Sequence, residues 1–238
     1  MDLNHYLDER LMKHYRMNDI RERLSTRRLL FPLDVALVGA TGVGKSSTIN
    51  GLFGSEVAKV GYGVDPETQN TDMYTINDVF RVHDSAGLGD GLAADKKHVK
   101  NLTGLLLKTC TVEDKEYGFI DLVLVILDGS GRDMGTTYRL LEQVVLDCVD
   151  ANRVVVAINQ ADMAMKGRFW DKTRRKPLPE LEQTLKDKSQ SIQLRLKEAT
   201  GITIKTPVYY SAEFGYNLDV LMNHIIKHLP HERRVISF

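Results

Sequence analysis

Gly39-Ala-Thr-Gly-Val-Gly-Lys-Ser-Ser-Thr48 stands directly behind the apolar run Asp34-Val-Ala-Leu-Val38 and directly before Ile49-Asn-Gly-Leu-Phe-Gly54. The order dictates a strand, a sharp turn and a helix that starts at Lys45. The stretch fits G-x-x-x-x-G-K-[ST] at Gly39, Gly44, Lys45 and Ser46. Glycines at this density let consecutive backbone N–H groups, those of Thr41, Gly42, Val43 and Gly44 among them, point into one concavity. The helix N-terminus, with Lys45, Ser46 and Ser47, adds its positive end. Such a turn suits α- and β-phosphates. Lys45 would reach β and γ oxygens, and Ser46 would offer its hydroxyl to Mg²⁺, a hard cation that prefers oxygen.

From Asp34 onward short β-rich runs alternate with helical stretches, which predicts an α/β architecture of three layers around a mostly parallel, six-stranded mixed sheet. Strands are expected at 34–39, 120–128, 153–159 and 206–212, and helices at 45–53 and near 95–109, 135–149, 180–200 and 217–229. The stretch 73–84 reads as a hairpin that turns at Asn77-Asp78, so one strand must run antiparallel. Residues 163–179 read as a long charged loop. Residues 1–33 form a separate helical segment, 34–230 the main domain and 231–238 a tail.

The 32 basic and 32 acidic residues give net charge +0, which argues against bulk electrostatic binding of nucleic acid. The four arginines between Arg21 and Arg28 give the N-terminal helix a basic face, suited to packing on the main domain or to a membrane surface or partner. Cys110 and Cys148 lack neighbours at metal-ligand spacing and are expected in the core of a protein in a reducing compartment. No apolar run reaches ~18 residues, so the chain is expected to be cytoplasmic, without a transmembrane segment.

Other motifs belong at strand ends. Asn159-Gln160-Ala161-Asp162 closes a buried strand, where open α/β sheets bind ligands. Asp162 can accept from the N1–H and the exocyclic amine of guanine together, whereas adenine would leave the acid unpaired. Asn159 would tie this loop to the phosphate turn. Asp84 would hold Mg²⁺ through a water, and the Gly87 N–H would approach a γ-phosphate. Thr68, preferred over Thr71, would bind Mg²⁺ and γ-phosphate. The amides of Ser211 and Ala212 would read the guanine carbonyl oxygen. Asp128 to Asp133 reads as a turn with a helix cap, with Arg132 or Asp133 as an accessory at a dimer face. His83 reads as a packed, satisfied side chain, and Trp170 as either a partner contact or a helix cap.

These five elements, in this order over about 34–230, resemble the P-loop GTPases of the translation-factor-like class. Asn159-Gln160-Ala161-Asp162 with Ser211-Ala-Glu-Phe-Gly-Tyr-Asn-Leu looks Era-like, close to the prophage YfjP and YeeP type. The phosphate turn is also similar to septin, Toc and AIG1-type GTPases. The resemblance implies a Ras-like G domain that binds GTP and GDP with Mg²⁺ and hydrolyses GTP as a molecular switch, or alternatively a GTP-dependent assembly module with little turnover. It implies Lys45, Thr68 and Gly87 as the catalytic group, and Ser46, Thr68 and Asp84 as metal ligands.

Two departures matter. Gln160 replaces the family's usual lysine, which predicts weaker nucleotide affinity. Leu88 stands where Ras-like proteins carry a glutamine, and Gly42 replaces the potassium-recruiting asparagine of some Era-like relatives. Slow intrinsic hydrolysis is therefore expected, accelerated by self-association through the nucleotide face or by a protein effector. No added RNA-binding domain fits the eight residues after Pro230.

Overall fold

In the computed structural model, residues 16–53, 71–75, 78–85, 92–131 and 138–235 are described. The centre of the sheet consists of β1 (Leu33–Val38), β6 (Leu122–Asp128) and β7 (Val154–Asn159), buried throughout except at Asp128. They are buried on both faces because side chains alternate between two cores. Leu33, Val35, Leu37, Leu122, Leu124, Ile126, Val155 and Ala157 enter one core, while Ala36, Val38, Val123, Val125, Leu127, Val156 and Ile158 enter the other.

With β2 (Thr71–Thr75), β3 (Phe80–Ser85) and β10 (Val208–Tyr209), the strand order is β10-β7-β6-β1-β3-β2. Five strands are parallel, and β2 runs antiparallel to β3. Helix α1 (16–26), α2 (Lys45–Phe53) and α6 (Leu218–Lys227) cover the first face. Helix α3 (Leu92–Leu106), α4 (138–148, with a π-type stretch over Leu141–Val145) and α5 (Pro179–Thr200) cover the second. This is an α/β Ras-like G domain with the expected six-stranded mixed sheet.

Several details differ from the sequence expectations. The hairpin's last ladder pair is Thr75↔Arg81, so the connection exceeds a two-residue turn at Asn77-Asp78. A second hairpin, β4 (Thr109–Val112) with β5 (Lys115–Gly118), fills a stretch read as helix end and loop. Its turn places Glu113 and Asp114 at φ of 51° and 62°, a mirror-image turn without the usual glycine. The loop expected over 163–179 contains a short ribbon, β8 (Trp170–Asp171) with β9 (Lys176–Pro177). Trp170 is buried against Phe214 and Tyr216, so it is neither an exposed contact nor a cap. Cys110 and Cys148 are free and only half-buried.

The N-terminal helix belongs to the main core: Ile20 and Leu24 are fully buried there. Arg21 and Arg27 engage protein groups through their side chains, and Arg28 through its carbonyl. Arg21 Nη2 donates to both Asp78 carboxylate oxygens at 3.0 and 2.8 Å, Arg27 donates to the Leu229 and Pro230 carbonyls, and Arg28 O accepts from Arg233. The tail continues this bracing, since Arg234 O accepts from Gly118 N–H at 2.7 Å. No helix among the described residues is long and apolar enough to cross a membrane.

Candidate functional site

Because the strands are parallel, the residues closing β1, β3, β6, β7 and β10 share one sheet edge. The turn after β1 ends at Gly44, whose φ of +85° suits glycine and where a Cβ would lie 2.4 Å from Asn159 Nδ2. Gly44 O accepts the Thr48 N–H at 2.9 Å and starts α2. No acid sits in the first turn of α2 itself, so within the helix nothing offsets its positive end. Lys45 Nζ lies beside the turn, donating to Gly39 O at 3.2 Å and Ala40 O at 3.3 Å. The arrangement can hold an anion between backbone amides and an ammonium.

Ser46 on α2 and Asp84 on β3 converge, with Ser46 Oγ donating to Asp84 Oδ2 at 3.3 Å. Two oxygen donors from separate elements at the mouth of an anion cradle fit Mg²⁺. Thr68 and Gly87 lie outside the described residues, as do Leu88, Arg132 and Asp133. Thr71 opens β2 opposite Ser85.

Asn159 is the hub. Its Nδ2 donates to Val43 O at 2.9 Å and more weakly to Gly44 O at 3.5 Å, and its Oδ1 accepts from Ala212 N–H at 3.0 Å. One side chain thus joins the phosphate turn, the end of β7 and the turn after β10. Gly129 N–H donates to Asn159 O at 2.7 Å, and a Cβ on Gly129 would stand 2.4 Å from that oxygen. Gln160 Nε2 donates to Gly42 O at 2.8 Å, so the shortened side chain still braces the phosphate turn. Buried Asp162 accepts Ser211 Oγ–H at 2.6 Å through Oδ1, which orients the carboxylate and leaves Oδ2 for another donor.

The amides expected to read the base are engaged within the protein: Ser211 N–H donates to Tyr216 O at 3.0 Å and Ala212 N–H to Asn159. Ser211 contributes through its hydroxyl and Ala212 by positioning Asn159. Sequence reading missed a support beneath the cradle. Thr48 Oγ1 meets Tyr210 OH at 2.7 Å and donates to Gly44 O at 2.8 Å. Burial pushes the Tyr210 hydroxyl far above its ordinary pKa, so it stays protonated. Its only signal was a tyrosine directly before Ser211. Lys188 of α5 was also missed. It donates to Asp128 O at 3.1 Å and Gly129 O at 2.8 Å, and burial lowers its pKa. The Asp128 carboxylate closes a local turn on Ser130, as expected.

Fold and edge together define a P-loop GTPase domain that binds GTP. Residues 34–160 match the family described as 50S ribosome-binding GTPase, and the chain belongs to that family. Among curated proteins it is 27% identical over 142 residues to the tRNA modification GTPase MnmE of Sulfurovum sp., covering 59% of this chain and 29% of MnmE. It is also 27% identical over 139 residues to the probable GTP-binding protein EngB of Bacillus subtilis, covering 58% of this chain and 67% of that one. Among solved structures, Toc33 of Arabidopsis thaliana with Mg²⁺ and GMPPNP superposes with a TM-score of 0.61 at 15% identity, covering 95% of this chain and 96% of Toc33. That likeness is one of fold.

Proposed function

We propose that this domain hydrolyses GTP to GDP and phosphate with Mg²⁺ and acts as a cytoplasmic molecular switch, at a slow intrinsic rate raised by a second copy or a partner protein. The observation that carries the reading is the Asn159 bracket, which couples a phosphate turn to a loop bearing Asp162. In this reading Gly39 to Ser47 cradle the phosphates, and Lys45 neutralises charge that develops between the β and γ positions. Ser46, Asp84 and Thr68 would hold Mg²⁺, which supplies Lewis-acid neutralisation of phosphate charge. Thr68 and Gly87 would contact the γ-phosphate. Asp162, set by Ser211, accepts from guanine, while Asn159, Gln160 and Ala212 hold the loop to the cradle. The Era-like, YfjP-type affinity belongs to this reading. So does the division into 1–33, 34–230 and 231–238, in which Arg21, Arg27 and Arg234 tie the described parts of the flanks to the central unit.

A second reading, GTP-dependent assembly with little turnover, is favoured by the fold shared with Toc33. For atToc33 and psToc159, dimerisation is important for GTPase activity. Measuring hydrolysis across protein concentrations, with Lys45→Ala as control, separates the two. Specific activity that climbs with concentration supports the switch. A dimer driven by a GTP analogue without turnover supports assembly, and a preference for ATP overturns both.

A further inference from the structure

Residues 163–178 follow directly on the base-binding loop and carry Lys166, Arg168, Lys172, Arg174, Arg175 and Lys176, all exposed, against the single acid Asp171. Asp171 is occupied: it accepts from the amides of Thr173 and Arg174 at 3.0 and 2.9 Å and pairs with Arg174 at 3.8 Å. At the start of α5, Glu180 is exposed and Glu182 pairs with Lys186 at 2.8 Å. In a chain of net charge +0 this is a concentrated cationic surface.

The same segment exposes four apolar side chains: Met163 (47%), Met165 (38%), Phe169 (40%) and Leu178 (38%). Ladder geometry explains two of them. Trp170 pairs with Pro177 and both are buried, so the neighbouring pair, Phe169 and Leu178, joined by Leu178 N–H to Phe169 O at 2.7 Å, must face outward. The buried side is firmly held: Trp170 lies 5.3 Å from Phe214 and 5.5 Å from Tyr216 by ring centroids, in one cluster with Leu181 and Leu185. Met165, Lys166, Phe169 and Arg175 all adopt positive φ, an unfavourable conformation for such side chains.

We infer that the surface formed by residues 163–178 docks on an anionic lipid bilayer, with Met163, Met165, Phe169 and Leu178 entering the interface and the lysines and arginines lying at headgroup level. A fluid interface accepts methionine, leucine and phenylalanine tips without a matching pocket, and anionic headgroups complement the cations. Single-stranded RNA is less well served, because one exposed aromatic provides no row for stacking bases. The inference does not rest on the nucleotide reading, and its segment begins directly after Asp162.

The test is co-sedimentation of the full chain, with GDP, on phosphatidylcholine vesicles with and without phosphatidylserine. The inference expects binding to the anionic vesicles and about tenfold less to the neutral ones. Phe169→Ser and the double variant Arg168→Glu/Lys172→Glu should each weaken anionic binding about tenfold with GDP affinity unchanged. Unaltered emission from the sole tryptophan, Trp170, shows that the ribbon remains folded. If Phe169→Ser disturbs that emission, Leu178→Ser replaces it. No sedimentation, equal sedimentation on both vesicle types, variants that bind as the parent does, or RNA binding without vesicle binding would each overturn it.

Discussion

The two ends of the same sheet bury polar groups in opposite ways. At the carboxyl ends of the strands, side chains grip backbone: Asn159 holds Val43 and Ala212, Gln160 holds Gly42, and Lys188 holds Gly129. At the amino ends, charged side chains meet one another as well as nearby carbonyls. Asp34, 5% exposed, accepts Arg81 Nε and Nη2 at 2.5 and 2.7 Å and meets His83 Nε2 at 2.6 Å. Its N–H donates to Asp121 Oδ2 at 3.0 Å. Arg153 donates to the Asp121 and Glu232 carbonyls, Arg234 donates to those of Leu106 and Cys148, and Phe119 packs against Arg81 and His83. Groups bonded to a turn's backbone shape that turn and leave room for a ligand, whereas opposed buried charges satisfy each other. The first arrangement makes a site, and the second closes the base of the fold.

The largest effect should come from breaking the closed end. Asp34→Ala leaves Arg81 and His83 without their shared acceptor, and removing one partner of a buried pair costs about 3–5 kcal/mol. Urea denaturation should show that loss, while GDP affinity of the folded protein stays at the parent value. A fall in affinity alongside stability would mean the two ends are not separable.

At the open end the expected loss is of function alone. Lys45→Ala should lower the hydrolysis rate by ~10²–10³, the scale for removing one preorganised charge-stabilising group. Thermal unfolding without nucleotide should change little, since the ammonium donates to carbonyls of its own turn, Gly39 and Ala40.

Protons act on the closed end at smaller cost. Burial is the main reason that the Asp121 carboxyl is pushed from 3.8 up to about 7. The folded chain then keeps a proton that the unfolded chain releases as pH rises from about 4 to about 7, so stability from this group is present at low pH and lost across that window. His224 works the other way: burial lowers it to about 4, and its contribution is lost as pH falls from 6.5. The two slopes partly cancel in the parent. Asp121→Asn should therefore expose a steeper rise of stability with pH, differing from the parent by at most ~1.4 kcal/mol per pH unit. Parallel curves would rule out Asp121 as a titrating group.

What the chain reveals before folding divides along the same line. The cradle and the Asn159–Asp162 loop are contiguous motifs at the ends of continuous apolar strands, so spacing alone places them at one edge. Asp34 and Arg81 are 47 positions apart and Thr48 and Tyr210 are 162 apart, and no periodicity connects such pairs. The β4–β5 hairpin escaped because Glu113 and Asp114 take positive φ without a glycine to announce it. The outward ribbon escaped because a two-residue strand is too short to show alternation.

The smallest effect concerns Gln160. A lysine in its place would add a charge near the phosphates and a longer stem over the base, but the brace to Gly42 O already exists at 2.8 Å. Gln160→Lys should therefore tighten GDP binding by less than about tenfold, under ~1.4 kcal/mol, in calorimetric titration. Gln160→Ala removes the brace itself and should weaken binding by a comparable factor, the net worth of about one hydrogen bond. If the lysine variant gains far more than the alanine variant loses, charge and base coverage outweigh the brace at this position. Equal and opposite changes would instead make the open end a site held together chiefly by side chains gripping backbone.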